Sequence, residues 1–594
     1  MNWRKYIAEL KRRHVVKAGI AYLVFAWLII QVLAILFPAF EASSSAMKIT
    51  IIILIVIFPI WLIIAWIYDF SPDGIKKTEE VDYDPEIHKK KNISLNRFII
   101  GGLSIAVILL LVNTFRLSDK VNTLEYDYLQ SNFESSIAIL PFEDLSPNND
   151  KRYFSDGLSR NIYHELTRFK GLNLINPTSS FIYRDRDVGI QMIGEELGVR
   201  YIIEGSVQLI NDRFSVDINL VDVKDETAVW SKKFTDKIED VLKTHDEIAK
   251  EIARYLELTI DVQDVQLGKI DPKAYELFLL AEETISSRAY ELEDVFIADS
   301  LIKESIKIDP NYAQSYTTLC TTIFQLGIYH NFYSSNEAIR LGLKAAEKAI
   351  ALDSTLGLGY NWLSNFQWHN KDIEASQNNF RKGLRYAPNN SHVFYYGGFQ
   401  ALRINDLSTS LKYSKKSIKL DPKNWEYYWT QFHPLLMIED YVQAEKDLKE
   451  MRIINPYMEN GFQGHLQAMN EDYAEALEFA EKAINPHYQN YINALVFIGL
   501  GNDQDAEEAI RDFNNLPEDP DWNKNYYLAV LYAYMGKNDL AFEYLDSAYS
   551  YIVIRTDYLF AQPEFKNLYE DPRWNNYIDR LRKEYNYEFP YRPK

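Results

Sequence analysis

Four loop signals recur at a fixed interval in the second half of this chain. Asp353-Ser354, Ala387-Pro388, Asp421-Pro422 and Asn455-Pro456 set their second residues 34 positions apart each time. Between them the apolar residues fall at helical spacing in two blocks. Lys371-Asp372, Asn405-Asp406 and Glu439-Asp440 divide each unit in the middle. A period of 34 with two helices per unit marks a stack of helical hairpins. One hairpin of that size cannot bury its own apolar side, so neighbours must stack and share an elongated core. Such a stack offers an extended surface to a partner rather than a closed catalytic pocket.

The same frame extends in both directions. Asp271-Pro272, Asp309-Pro310, Asn485-Pro486 and Asp519-Pro520 continue the loop signals. Small residues stand where paired helices touch (Ala298, Ser376, Ser410, Ala444, Ala476, Ala541), and Ile302, Phe380, Leu448 and Leu545 follow one turn later. The step from 310 to 354 is 44, which predicts an insertion near Tyr329 to Asn336, and the step from 456 to 486 is 30, which predicts a trimmed unit. About eight hairpins are expected over 271–551, with a capping segment at 552–594 whose last helix is charged on one side.

Charge and motif content exclude several classes of function. The net charge is −20, with +5 over residues 1–116 and −25 over the remainder. An acidic body of this kind lacks the clustered cations with which a nucleic-acid binder displaces counterions. The single cysteine, Cys320, leaves no intrachain disulfide and no thiolate cluster, and its apolar neighbours predict a buried thiol. No phosphate-binding glycine loop or nucleophile elbow is present, so no cofactor, metal or catalytic residue is expected. His164-Glu165 has no second histidine at helical spacing, and adjacent Glu195-Glu196 point apart on a helix.

Ahead of the repeats, three apolar runs at 15–37, 49–68 and 98–115 are long enough to cross a bilayer. Arg4, Lys5, Lys11, Arg12 and Arg13 precede the first, and Lys76, Lys77, Lys89, Lys90, Lys91 and Arg97 lie between the second and third. By the positive-inside rule the amino terminus is cytoplasmic. Residues 1–117 are thus expected to form a three-span segment in a bacterial inner membrane, with everything after about 117 in the periplasm. A polar stalk at 118–134 follows. From 135 to 262 the pattern reads β-α-β-α-β-β-β-α, a small mixed domain, with Asn211-Asp212 as a hairpin turn and Asp156-Gly157 in the amino-terminal turn of its first helix, Ser155 or Asp156 standing near the cap. Gly205, inside a strand, marks a bulge or a close backbone approach.

Several blocks carry family resemblance. Ile7-Ala8-Glu9-Leu10-Lys11-Arg12-Arg13-His14-Val15-Val16 and Ala65-Trp66-Ile67-Tyr68-Asp69-Phe70-Ser71-Pro72-Asp73-Gly74-Ile75 resemble bacterial membrane-anchored tetratricopeptide repeat proteins. Ile137-Ala138-Ile139-Leu140-Pro141-Phe142, Tyr153-Phe154-Ser155-Asp156-Gly157-Leu158, Leu197-Gly198-Val199-Arg200-Tyr201, Glu204-Gly205-Ser206-Val207 and Val229-Trp230 resemble the TolB amino-terminal-like (FlgO-like) domain. That resemblance implies a non-enzymatic module that docks on other proteins. In some relatives an adenylate cyclase or a winged-helix DNA-binding domain precedes the span, and only 14 residues do so here. Pro563-Glu564-Phe565 and Asp571-Pro572-Arg573-Trp574 are similar to the closing stretch of the same proteins.

The first helix of each hairpin lines the concave side of a curved stack. Counting along the frame aims Asn361, Asn365, Trp368, His369, Tyr395, Phe399, Trp429 and His433 into that groove. Asn side chains can bond an extended peptide backbone and aromatics can anchor its side chains, although aromatics also fill gaps between helices. The expected function is a membrane-anchored, periplasm-facing scaffold that holds a protein or peptide in this groove and binds no nucleic acid. The alternatives are a transmembrane signalling component reporting to a separate cytoplasmic partner and, third, a cyclase-related enzyme.

Overall fold

The structure, a computed structural model, describes residues 135–186, 188–260, 268–287, 291–330, 332–454, 456–517, 523–549 and 562–589, with scattered positions between 22 and 77. The chain divides into two compact units, Met1–Gln130 and Ser131–Lys594.

The first unit corrects the expected fold class. Among the described residues no helix is long and apolar enough to cross a membrane, so the three expected transmembrane helices are not found there. The expected span at 98–115 and the stalk at 118–134 lie outside the described residues, and the spans at 15–37 and 49–68 are described at a few positions only. Those positions pack on one another. The Tyr22 hydroxyl donates to the Leu54 carbonyl at 2.7 Å, and its ring lies 5.4 Å from that of Phe58 and 6.3 Å from that of Trp61. Tyr68, expected to end a span, instead opens a strand, Tyr68–Ser71, paired antiparallel with Gly74–Lys77. Apolar length reports that a segment avoids water; it does not say whether lipid or protein takes the water's place.

In the second unit, residues from Ser136 form a mixed sheet. Its strands are β1 (Ser136–Ile139), β2 (Glu143–Asp144), β3 (Asn173–Ile175), β4 (Tyr201–Ile210), β5 (Arg213–Asp222) and β6 (Thr227–Lys237). The order is β3-β1-β4-β5-β6, with β2 also paired to β4. The first three are parallel, and the last three form an antiparallel meander. Asn211, at φ 54°, makes the tight turn between β4 and β5. A Cβ at Gly205 would meet the Asp217 carbonyl oxygen, the close backbone approach expected there.

Alternation along β1 and β4 sends Ile137, Ile139 and Ile203 to one face and Ala138 and Ile202 to the other. Helices α1 (Arg152–Leu166) and α3 (Val241–Tyr255) cover the first face, and α2 (Ile190–Leu197) covers the second. Helix α1 begins three residues earlier than Ser155, after Lys151. Asp156 is therefore not a cap: it is buried inside the helix and paired with Arg184.

Eight helix pairs follow among the described residues. They are α4/α5 (Pro272–Ser287, Leu292–Ile308), α6/α7 (Ala313–Phe324, Ser335–Leu352), α8/α9 (Gly357–His369, Ile373–Tyr386) and α10/α11 (Ser391–Arg403, Leu407–Leu420). Then come α12/α13 (Trp425–Met437, Tyr441–Ile454), α14/α15 (Pro456–Met469, Tyr473–Lys482), α16/α17 (Pro486–Gly499, Asp503–Asn515) and α18/α19 (Lys524–Tyr534, Asn538–Ala548). A turn of 3-10 helix, Pro563–Leu568, and α20 (Pro572–Tyr585) complete the unit.

The mid-unit breaks have one cause. Lys371, Asn405, Glu439 and Glu471 all take left-handed φ between 61° and 66°, ending the first helix, and Asp372, Asp406, Asp440 and Asp472 then cap the second by accepting from a backbone N–H three residues on. The 44-residue step holds a π turn at Gln325–Tyr329 ahead of Ser335, and the short step coincides with the ten-residue helix α15.

The α/β domain and the stack share one core. Tyr275, Phe278, Leu279, Ala298 and Ile302 join one core with Phe154, Leu158 and Phe214. Asn161 Nδ2 donates to the Tyr275 hydroxyl at 3.1 Å, and a Cβ at Gly157 would run into Leu279.

Candidate functional site

The inner helices α8, α10 and α12 carry all eight residues expected in the groove, and the structure brings most of them into contact. The Arg403 guanidinium lies 5.3 Å from the Trp368 ring and 5.8 Å from that of Phe399. Phe399 meets Trp429 at 5.4 Å, and Trp429 meets His433 edge-on at 5.4 Å. Tyr395 packs on Phe399 and on Tyr427 at 5.0 and 4.9 Å, and His369 faces Phe324 at 5.8 Å. This wall is dense. Trp429 is half-buried and the other seven are buried, Asn361, Asn365 and Trp368 to 1 % exposure.

Its polar atoms are unevenly answered. Gln400 Nε2 donates to Ser364 at 2.6 Å and Gln431 Nε2 to Asp447 at 2.8 Å. Asn361 Oδ1, Asn365 Nδ2, His369 Nε2, Gln400 Oε1 and Gln431 Oε1 are buried without a hydrogen-bond partner. A row of amide groups left in this state along the inner helices has the bonding capacity that a peptide backbone needs. Burial holds both histidines uncharged. His369 is pushed well below the usual imidazole range by burial and then by Arg403, and His433 down to about 3 by burial and then by His465.

Arg403, Gln400 and Gln431 were missing from the expected set. Arg403 stands 34 residues after His369, so the repeat frame itself could have found it. His465, 34 after Gln431, meets the chain's own closing segment instead. Its Nε2 lies 2.8 Å from the Glu564 carboxylate, which also accepts from the Tyr491 hydroxyl at 3.2 Å. Glu584 pairs with Lys371, and Lys566 with Glu439 at 2.7 Å, so the carboxyl-terminal cap reaches back to the third and fifth hairpins.

The α/β domain meets the inner side of the stack a second time. Asn176 N–H donates to the Leu420 carbonyl at 2.8 Å, and Asn176 Nδ2 to Ser391 at 2.9 Å. The Ser179 hydroxyl donates to Asp421 and accepts from the Lys423 N–H at 2.9 Å, while Asn389 donates to the Phe169 carbonyl. These groups come from the short helical turn Pro177–Ser180 and the residues around it. A four-residue turn has no periodicity, so nothing in the sequence signalled it.

Between this contact and the shared core lies a cavity of about 310 Å³. Helix α1 contributes His164 and Glu165 and the turn after it Arg168, the first hairpins contribute Phe278, Glu282 and Thr318, and the loops and helices beyond add Asp353, Trp362, His392 and Glu426. Burial depresses His164 and His392 to about 4, His392 and Arg160 adding to the effect at His164, and it raises Glu426 to about 7.

Residues 133–264 match the family described as the HilA/YgeH-like transcriptional regulator, second domain. That stretch is the one expected to be TolB-like, and the matching family is a different one. "Putative adenylate cyclase 3" of Rhizobium meliloti (strain 1021) is 27% identical over 241 residues, which cover 38% of this chain and 40% of the relative. The chain thus spans well under half the length of that curated relative. Pseudomonas aeruginosa pilF shares 17% identity over 35% of this chain and 90% of its own, with a TM-score of 0.28. Yeast Tom70 shares 16% over 57% and 77%, with a TM-score of 0.31. These two are likenesses of fold alone. The helix pairs, their 34-residue period and the small residues at their contacts give this chain a tetratricopeptide-like stack joined to a small mixed α/β domain.

Proposed function

We propose that the chain is a scaffold or adaptor that holds a protein or peptide partner against the inner face of its repeats. The observation that carries this reading is the row of buried amide atoms without partners on α8, α10 and α12, set among Trp368, Tyr395, Phe399 and Trp429. With the inner side chains parted from half-buried Trp429 inward, an extended peptide would satisfy such atoms through its backbone while aromatics take its side chains. The TolB-like docking role expected for residues 135–262 belongs to the same proposal, supported by the way that domain already docks on its own repeats. So does the periplasmic address expected from loop charge, which an enzyme reporter fused after Lys594 reads directly.

A photo-crosslinking residue at Trp429, the half-buried member, tests the groove. The reading expects one partner to be recovered from position 429, absent from a control at exposed Tyr255, and lost in folded Asn365→Ala and Gln431→Ala variants. A partner retained equally by both variants sinks it. The reading is non-catalytic, so nucleotide cyclase activity in the purified full chain would also overturn it.

A further inference from the structure

The cavity between helix α1 and the inner side of the first five hairpins has an uneven charge balance. Four carboxylates line it, Glu165, Glu282, Asp353 and Glu426, against two cations, Arg168 and Lys423, with His164 and His392 held neutral by burial. Three of the carboxylates are answered from the protein. Glu165 pairs with Arg168 at 2.7 Å, Glu282 accepts from the Thr318 hydroxyl, and Asp353 accepts from the Thr355 N–H and hydroxyl at 2.8 and 2.7 Å.

Glu426 differs. No hydrogen bond or ion pair reaches its carboxylate among the described residues, and burial alone raises it to about 7. Glu426 is half-buried, and a carboxyl group in that position with no hydrogen bond or ion pair from the protein is left to attract a cation from solution. Trp425 precedes it in the chain, Trp362 and Phe278 line the same cavity, and aromatic faces attract cations. The volume, about 310 Å³, lies at the lower end of the range for small-molecule sites.

We infer that this cavity binds a small organic cation, a protonated amine on a short carbon chain, with the Glu426 carboxylate as its countercharge and the aromatic walls around its carbons. The ligand would touch α1 of the α/β domain and the inner helices of the repeats at once, and so would stiffen the contact between them. This site is separate from the amide row of the groove and does not depend on a peptide partner.

Titration calorimetry on the full-length protein at pH 8 tests the inference with three probes of one length: 1,4-diaminobutane, 1,4-butanediol and succinate. The diamine is expected to give saturable heat and a rise in melting temperature, and the diol and succinate neither. Glu426→Gln should weaken the diamine at least tenfold, while Glu439→Gln, at an exposed pair with Lys566 away from the cavity, should leave it unchanged. Hydrogen exchange on the unsubstituted protein, which needs no variant to fold, should show diamine-dependent protection at 164–168 and 423–426. Absence of saturable diamine binding, equal binding by folded Glu426→Gln, or preference for succinate would each overturn the assignment.

Discussion

Replacing Ser179 by Ala tests whether the α/β domain and the repeats form one cooperative body. The Ser179 hydroxyl sits between a buried and a half-buried group of the fourth-to-fifth hairpin loop: it donates to the Asp421 carboxylate and accepts from the Lys423 N–H at 2.9 Å. Without it Asp421, fully buried, keeps only Asn424 Nδ2 at 3.3 Å, and the Lys423 N–H loses its acceptor. Each buried polar group left unanswered costs about 1–3 kcal/mol, so the variant should lose about 2–4 kcal/mol after partial relaxation. Burial raises Asp421 to about 7, against the hydrogen bonds from Ser179 and Asn424 that lower it. Its folded value therefore stands above its unfolded one, and the stability it contributes is present in acid and lost as pH rises through about 7. The penalty of Ser179→Ala should accordingly be larger at pH 8 than at pH 5. Urea unfolding reads the loss, and hydrogen exchange at 173–180 and 416–424 places it. A double-mutant cycle with Asp421→Asn should give a coupling of about 1 kcal/mol or more. A loss under about 0.5 kcal/mol at pH 8 with no coupling would refute the view that this contact holds the domain on the stack.

Further outcomes follow from the same geometry. Glu426→Gln should stabilise the protein at pH 8 by up to about 3 kcal/mol and have little effect at pH 5, since a carboxyl raised to about 7 opposes folding only above its unfolded range; melting curves at both pH values decide this. His164 and His392, depressed to about 4, add stability above about pH 6.5 that is lost as pH falls through 4, so His392→Gln should flatten the acid limb of the stability curve. Gly342→Ala would drive a methyl into the buried Phe366 ring and part α7 from α8, at about 1–3 kcal/mol by urea unfolding. His465→Ala leaves the buried Glu564 carboxylate with the Tyr491 hydroxyl and should cost about 1–3 kcal/mol, with cleavage by protease appearing first around 562–568.

The helix pairs were legible because they are local. A 34-residue period, αL breaks before Asp caps, and small residues at helix contacts are all written in short stretches such as Lys371-Asp372 and Ser376. The strand and helix order of the α/β domain was legible for the same reason, from alternation and turn residues. The apolar runs near the amino terminus show the limit of this reasoning, because hydrophobicity says that Tyr22 and Trp61 leave water and is silent on what receives them. Counting could place the eight expected groove residues on the first helices of their hairpins, yet the burial of seven of them could not be read, because it depends on neighbouring hairpins and on how tightly they close.

What the sequence by itself determined is the repeat and the mixed domain, since periodicity fixes these within a few turns of chain. Only the tertiary structure decided that the Asn176–Ser180 turn docks on Ser391 and Asp421, more than 200 residues away, and that a cavity with an unanswered Glu426 lies beside it. Contacts at that separation depend on the summed curvature of the stack, and no local pattern in the chain records that sum.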